Sequence, residues 1–307
     1  MDKIAVVILN WNGCEMLRSF LPSVVRCSGT EGAKIYVADN GSTDASVDML
    51  RQEFPDVRLI ILKENLGFAE GYNLALQQVS AEYVVLLNSD VEVTEHWLAP
   101  LVSYMDAHPE AAACQPKIRS WRQKELFEYA GAAGGFIDRY GYPFCRGRIM
   151  SVVEKDNGQY DTVVPVFLGY RRCLVYPSER LFGCRRIGRT FFRSYGRDRL
   201  VLAASCPRAD AGLCTPKYRL SCRRCNPVKR RTPIRHFLNF RNNLVMLYKN
   251  LPQEELGPVM RVRAVLDYVA ALSFLLKGSS PICGQCFAHV VHSICSVPRL
   301  RMPVKRT

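Results

Sequence analysis

Four short apolar runs, each followed by a polar turn, divide the N-terminal third of this chain. Continuous apolar runs of this kind are typical of strands buried on both faces, and the segments between them have the length of helices. The alternation predicts a doubly wound α/β sheet with helices on both faces. The predicted strands are Ile4–Asn10, Lys34–Asp39, Val57–Leu62 and Tyr83–Leu87, and the predicted helices run from Glu15 to Val25, from Ala45 to Phe54 and from the stretch 65–73 to about Val79.

Polar residues follow these strands at the edge where open α/β sheets bind ligands. Asn10 and Asp39 end the first two strands, and the glycines of 65–73 allow a ligand to approach backbone N–H groups closely. The fourth strand runs into the polar sequence 88–92. Taken by itself, an aspartate such as Asp39 is more typical of a helix cap than of a nucleotide-binding residue. Four polar turns at one edge of a sheet, however, predict a nucleotide site.

Asp90 and Glu92 stand two residues apart, directly after the fourth strand. Carboxylate oxygens suit Mg²⁺ and Mn²⁺, and a divalent cation held there neutralises the phosphates of a nucleotide. The alternative is an acidic turn that is simply solvated. The polar turns of the neighbouring strands favour the metal site.

Four motifs stand in order at the strand ends. They are Val-Ile-Leu-Asn-Trp-Asn-Gly at 7–13, Asp-Asn-Gly-Ser-Thr-Asp at 39–44, Asn-Leu-Gly-Phe-Ala-Glu-Gly-Tyr-Asn at 65–73 and Leu-Asn-Ser-Asp-Val-Glu at 87–92. In this order they resemble the motifs of family 2 glycosyltransferases, especially the rhamnosyltransferase-like branch, over roughly residues 1–167. The resemblance returns over 237–278, where Phe-Leu-Asn-Phe-Arg-Asn-Asn at 237–243 is similar to a late helix of the family.

The resemblance implies a GT-A fold, which is a Rossmann-like mixed, mostly parallel sheet flanked by helices. It also implies inverting transfer of a sugar from a nucleoside-diphosphate sugar to a hydroxyl of a glycan or lipid-linked acceptor, with Mg or Mn, in cell-surface polysaccharide synthesis. Asp39 would accept a hydrogen bond from the base, and Asn88 stands where the family often has an acidic residue. The implied donor-binding residues are Asn10, Asp39, Ser42, Asn65, Gly67, Asn73 and Asn88, and the implied metal ligands are Asp90 and Glu92.

One segment, Leu168–His236, makes the whole chain basic. It holds 18 Lys and Arg against 3 Asp and Glu, while the formal net charge of the chain is +14, and it carries six of the 13 cysteines. Family members have in this part an acidic motif that supplies the general base, and later a His near the metal. Neither is found here, where Glu179, Asp198 and Asp210 are the acids. The catalytic base is therefore unknown.

A change of reading frame in the underlying DNA would account for this segment. Synonymous codons for Tyr195–Leu202, read without their first nucleotide, give Met-Glu-Glu-Ile-Asp-Leu-Cys-Trp, which resembles the missing acidic motif. With the same shift, Leu168–Arg172 gives Trp-Ala-Thr-Gly-Ala, and Tyr218–Asn226 with its neighbours gives Ile-Val-Tyr-His-Val-Gly-Gly-Ala-Thr. In the other shifted frame, Gln285–Ser293 gives Ala-Val-Leu-Arg-Ala-Arg-Arg-Ala-Leu. We hypothesise that compensated frame changes replaced the acceptor half and that another replaced the tail.

The predicted organisation follows from these boundaries. Residues 1–167 form the nucleotide-sugar-binding part, 168–236 a poorly ordered basic segment in place of the acceptor part, 237–278 a helical part, and 279–307 a disordered tail. Under the frame hypothesis the positive charge is an accident, so nucleic acid is not a partner.

Three alternatives stay open. The basic segment is a genuine insertion in the first, and the chain is a nucleotide-binding pseudoenzyme without a general base in the second. In the third it is a basic zinc or nucleic-acid module, with Cys222/Cys225 and Cys283/Cys286 as thiolate pairs.

The stretch Val259–Lys277 has apolar residues at helical spacing with basic residues near its ends. Packing on the sheet is the favoured role of this predicted helix, and contact with a membrane interface beside a lipid-linked acceptor is the alternative. The sequence shows no signal pattern and no apolar run of about 20 residues. We therefore expect a cytoplasmic protein, or one that is peripheral at the inner face of the cell membrane.

Overall fold

The computed structural model describes residues 1–129, 133–149, 152–166, 169, 172–183, 213–214, 219–222, 243–244, 247–248 and 251–276. The described residues fall into two compact units. The first contains those up to Cys222 except Ile137–Pro143, and the second contains Ile137–Pro143 together with those from Asn243 onward.

Strands and helices alternate through the first part of the chain and give way to short strands later. The strands are β1 (Asp2–Asn10), β2 (Lys34–Asn40), β3 (Arg58–Leu62), β4 (Ala81–Leu87), β5 (Val91–Glu92), β6 (Ala113–Cys114), β7 (Lys117–Ser120), β8 (Gly135–Ile137), β9 (Pro143–Cys145), β10 (Arg148–Ile149), β11 (Val152–Val153), β12 (Pro165–Val166), β13 (Cys173–Pro177), β14 (Leu213–Cys214) and β15 (Arg219–Cys222). The helices are α1 (Cys14–Gly29), α2 (Ser46–Glu53), α3 (Gly67–Leu76), α4 (Ala99–Ala107), α5 (Ser178–Gly183) and α6 (Gln253–Leu276).

An eight-stranded sheet in the order β12-β14-β6-β13-β4-β1-β2-β3 is the centre of the first unit. β3, β2, β1 and β4 are parallel, and β13 is antiparallel to both β4 and β6. In this register Asn10 pairs with Asp39, so the ends of β1 and β2 meet at one edge of the sheet. Two smaller sheets have the orders β11-β10-β9-β8 and β5-β15-β7. The predicted mixed, mostly parallel sheet is confirmed.

The apolar residues of β1 alternate between two core clusters because successive side chains of a strand point to opposite faces. Val6 and Ile8 pack with α1 and α4 residues such as Leu17 and Leu101. Val7 packs in the second cluster with α3 residues, including the fully buried Tyr72. Helices on both faces of the sheet therefore position the polar strand ends at its edge.

Strand β13 extends the ordered sheet beyond the predicted boundary at 167. Cys173, Leu174 and Val175 are fully buried, and Leu174 and Val175 pair with Leu86 and Val85 of β4. The sequence of β13 is apolar enough to fit between two strands, although it belongs to the basic segment. The prediction of poor order for the rest of 168–236 stays a prediction, because nearly all of 184–236 lies outside the described residues, as does the tail 279–307.

Helix α6 begins earlier than predicted, and two of its buried residues are charged. Arg263 and Asp267 are both fully buried, and Arg263 Nε donates to Asp267 Oδ1 at 3.0 Å. Tyr142 in the same unit donates its hydroxyl proton to Asp267 Oδ1 at 2.7 Å. Several large apolar residues of the helix are exposed instead, including Val265 and Val269. Within the part of the chain that the structure describes, no helix is long and apolar enough to cross a membrane.

Candidate functional site

Three of the predicted donor-binding residues meet at the ends of β1 and β2. Asn10 Nδ2 donates to Asp39 Oδ2 at 3.0 Å and to Ser42 Oγ at 3.3 Å. The backbone N–H of Ser42 donates to Asp39 Oδ1 at 2.8 Å. Asn10 and Asp39 are each only 1% exposed. The structure therefore builds a buried polar cluster where the sequence predicts the nucleoside.

One atom of this cluster lacks a partner. Asn10 Oδ1 is buried, and no described residue donates a hydrogen bond to it. A side chain at Gly13 would place its Cβ 2.4 Å from this oxygen, so glycine keeps open the space that the oxygen faces. Buried acceptors are nearly always satisfied in proteins. A buried acceptor oxygen without a partner, beside such a space, suits a hydrogen-bond donor of a ligand.

The turn after β2 is held to the turn after β1 by side-chain hydrogen bonds. Asn12, at a positive φ of 48°, accepts the N–H of Thr43 through Oδ1 at 2.7 Å. Asp44 accepts the N–H of Cys14 at 3.0 Å and that of Ser46 at 3.0 Å, at the starts of α1 and α2. Burial acts to raise the pKa of Asp44, but hydrogen bonds from Ser46 and Cys14 together outweigh it, so that the pKa lies below its ordinary value. The two turns thus form one rigid rim.

Asn40 joins β2 to the turn before α3. Its Nδ2 donates to Asn65 Oδ1 and to the Gly67 carbonyl, both at 3.1 Å, and its Oδ1 accepts the N–H of Leu66 at 3.1 Å. Asn65 Oδ1 also accepts the N–H of Gly67 at 2.9 Å. The sequence predicted Asn65 and Gly67 but missed Asn40, although it is the second residue of the Asp-Asn-Gly turn.

Asn73 and Asn88 each lie next to a residue that fixes the end of a strand. Asn73 Nδ2 donates to Glu70 Oε2 at 3.5 Å, one turn earlier in α3. The adjacent Tyr72 donates its hydroxyl proton to the Leu87 carbonyl at 3.2 Å and so ties α3 to the end of β4. The backbone N–H of Asn88 donates to the Arg172 carbonyl at 2.9 Å.

The two predicted metal ligands have different basic partners. Arg172 Nη1 donates to Asp90 Oδ2 at 2.6 Å, and Arg172 Nη2 lies 3.5 Å from Glu128 Oε1. Glu92 lies 3.7 Å from Lys124 in a solvent-exposed pair. Sequence analysis missed Arg172 and Glu128, which are distant from Asp90 along the chain and carry no local signal.

This arrangement does not fit a divalent cation. The Asp90 oxygen that faces Arg172 is already engaged by a positive charge, and Mg²⁺ or Mn²⁺ requires several oxygen ligands in near-octahedral order. Among the residues that the structure describes, no group of three or more His, Cys, Asp or Glu is close enough to hold a metal. Of the two CxxC pairs, only the backbone of Cys222 is described, and the other three cysteines lie outside the described residues.

Residues 5–150 match the family model "Glycosyl transferase family 2". The chain is 26% identical over 128 residues to the teichoic acid poly(glycerol phosphate) polymerase of Staphylococcus epidermidis, covering 36% of this chain and 18% of that protein. It is 27% identical over 129 residues to the N-acetylglucosaminyl-diphospho-decaprenol L-rhamnosyltransferase of Mycobacterium tuberculosis, covering 38% of this chain and 42% of that protein. The chain thus spans less than half the length of these curated relatives.

Solved structures of GT-A glycosyltransferases share the fold. S. aureus TarS 1–349 in complex with UDP-GlcNAc aligns with a TM-score of 0.60 at 14% identity, covering 96% of this chain and 81% of that chain. Mannosyltransferase PcManGT from Pyrobaculum calidifontis, in complex with GDP-Man and Mn²⁺, aligns with a TM-score of 0.53 at 15% identity, covering 96% of this chain and 86% of that chain. At such identities the likeness shows the fold alone, and the predicted GT-A fold is confirmed.

Proposed function

We infer that residues 5–150 are a family 2 glycosyltransferase domain, and we propose that the chain transfers a sugar from a nucleoside-diphosphate sugar to an acceptor hydroxyl. The observation that carries this proposal is the buried Asn10–Asp39–Ser42 cluster, with its unpartnered acceptor oxygen beside Gly13. It lies at the edge where β1 and β2 end, which is where open α/β sheets bind nucleotides.

We propose the donor orientation that the resemblance to family 2 glycosyltransferases implies, and the buried cluster supports it. Asp39 accepts a hydrogen bond from the base, Asn10 lies against the nucleoside, and the Asn65–Gly67 turn and Asn73 lie towards the ribose and phosphates. The acceptor hydroxyl attacks the anomeric carbon, the nucleoside diphosphate leaves, and the hydroxyl proton passes to a base. An inverting transfer needs that base within hydrogen-bond reach of the hydroxyl.

The acceptor is proposed from the relatives. One is named for a decaprenol-linked acceptor and another for teichoic acid, so cell-surface polysaccharide synthesis on a lipid-linked or glycan acceptor is the proposed setting. Contact of the stretch predicted for this role, which lies in α6 up to Leu276, with the inner face of the membrane would place the chain beside such an acceptor. The exposed apolar residues Val265, Val269 and Leu272 support this contact.

The cofactor prediction of Mg or Mn at Asp90 and Glu92 stays a prediction. Two structural neighbours contain Mn²⁺, which supports a divalent cation for this fold. In this chain Arg172 forms an ion pair with Asp90, and Lys124 forms one with Glu92. We therefore route no step of the proposed reaction through a metal ion.

A nucleotide-binding measurement tests the proposed function. We expect isothermal titration calorimetry with UDP, GDP and dTDP to detect binding of one of the three nucleotides. Asp39→Asn should weaken the binding of that nucleotide by about tenfold, because one charge-assisted hydrogen bond is lost. Asp56→Ala is the matched control, since Asp56 lies in an exposed turn before β3. Absence of binding by all three nucleotides, or equal binding by Asp39→Asn, would refute the proposal.

The pseudoenzyme is a second candidate. It is favoured by the ion pair on Asp90 and by the absence of the acidic acceptor motif from the sequence. Donor hydrolysis and sugar transfer separate the two: a chain that binds nucleotide but neither hydrolyses nor transfers the sugar is the pseudoenzyme.

A further inference from the structure

The edge of the site where Asp90 lies already contains a cation that belongs to the protein. Arg172 bridges Asp90 and Glu128, at 2.6 Å and 3.5 Å. The side chains of Arg172, Asp90 and Glu128 are 10%, 19% and 6% exposed. Water and salt screen partly buried ion pairs much less than exposed ones. This guanidinium therefore offsets one of the two carboxylate charges, and it is hydrogen-bonded to Asp90, the predicted metal ligand.

The sheet register fixes the position of Arg172. Its carbonyl accepts the N–H of Asn88, and the next residue, Cys173, pairs with Leu87. Arg172 is thus the residue that enters β13, directly beside the end of β4 that carries the Asn-Ser-Asp turn. Arg172 directly precedes β13 and Asp90 follows β4, and these two strands are neighbours in the central sheet.

We propose that Arg172 takes the place of a divalent cation at Asp90, so that the free protein does not bind Mg²⁺ or Mn²⁺ there. A metal ion on the same carboxylate would bring two further positive charges close to the guanidinium, in a region with little solvent screening. The carboxylate would also have to exchange a short, charge-assisted hydrogen bond for a metal contact. The proposal rests on the proposed function only in treating Asp90 as the residue beside the donor phosphates.

Mn²⁺ binding to the full chain without nucleotide tests the proposal. The electron paramagnetic resonance signal of free Mn²⁺ reports how much is bound by wild type, Asp90→Asn, Arg172→Met and the Arg172→Met/Asp90→Asn double variant. We expect wild type and Asp90→Asn to bind equally. We expect Arg172→Met to gain one site, where Asp90 and Glu128 hold Mn²⁺ with water as the other ligands, about tenfold or more tightly than the wild type. The double variant should lose that site. Arg122→Met, at an exposed arginine, controls for the change in net charge.

Two results would overturn the proposal. One is that the wild type binds one Mn²⁺ and Asp90→Asn abolishes it. The other is that Arg172→Met, with a wild-type circular dichroism spectrum, binds no more Mn²⁺ than the wild type. If Arg172→Met fails to fold, the comparison of wild type with Asp90→Asn decides. No nucleotide is present, so a failure of nucleotide binding overturns the proposed function and leaves the Mn²⁺ result standing.

Discussion

At the scale of single residues, the site depends on Gly41, where a residue with a side chain does not fit. Gly41 has a φ of 70°, and a Cβ there would lie 2.6 Å from the backbone of Glu64. Asn40, directly before it, fastens the Asn65–Gly67 turn. The close approach of the two turns therefore depends on Gly41, and so does the position of Asn65.

We predict that Gly41→Ala lowers the free energy of unfolding by about 2 kcal/mol or more, because the left-handed conformation and the contact with Glu64 both oppose a Cβ. The urea midpoint, at unchanged slope, measures this. Gly29→Ala is the control, since Gly29 ends α1 with nothing within 4 Å of its added Cβ. Equal midpoints for Gly41→Ala and the wild type would contradict the geometry.

At the scale of elements, β13 decides how far the ordered domain extends. Charge along the chain placed the boundary at 167, whereas the structure places Cys173–Pro177 between β4 and β6. Composition averages over a segment and so hides five apolar residues within it. Strands β1 to β4 and the residues Asn10 and Asp39 were predictable, because an apolar run and the polar residue at its end are local signals. The Arg172–Asp90 pair was not, because it depends on the register of β13 beside β4.

We predict that Leu174→Ala lowers the free energy of unfolding by about 2–5 kcal/mol, as is usual for a buried leucine. Leu174 is fully buried in the second core cluster. Val163→Ala, at a residue that is 42% exposed, is the control and should change stability by less than about 0.5 kcal/mol. A similarly small effect of Leu174→Ala would mean that β13 is not part of the folded sheet.

Asp44 couples two helix starts to pH. The pKa of Asp44 is lower in the folded state than in the unfolded chain. The contribution of Asp44 to the free energy of unfolding is therefore fully present above the unfolded pKa, and it is lost as the pH falls through the folded pKa. We predict that Asp44→Ala is about 1 kcal/mol less stable than the wild type at pH 7, and that the difference narrows below about pH 4. Urea unfolding at several pH values measures this, with Asp56→Ala as control. A difference that is constant with pH would contradict the assignment.

At the scale of the whole molecule, charge is divided unevenly along the chain. The N-terminal part has a core on both faces of a sheet and the polar edge that we propose binds the donor, while one segment supplies all of the net positive charge. The hypothesis of a frame change would account for the absence of the acceptor motifs from the protein sequence, and it also concerns Arg172.

The frame hypothesis makes a prediction that joins the gene to the site. In the shifted frame, Leu168–Arg172 becomes Trp-Ala-Thr-Gly-Ala, so small residues replace Arg171 and Arg172 and the guanidinium that pairs with Asp90 is lost. Resequencing the genomic DNA across codons 160–240 and 275–307 should then restore Met-Glu-Glu-Ile-Asp and Tyr-His-Val-Gly-Gly. The corrected chain should bind Mn²⁺ in an Asp90-dependent way, in contrast to the chain as translated. DNA that agrees with the present sequence would reject the hypothesis and favour the pseudoenzyme, because the chain would then bind its donor without the acidic motif that supplies a base.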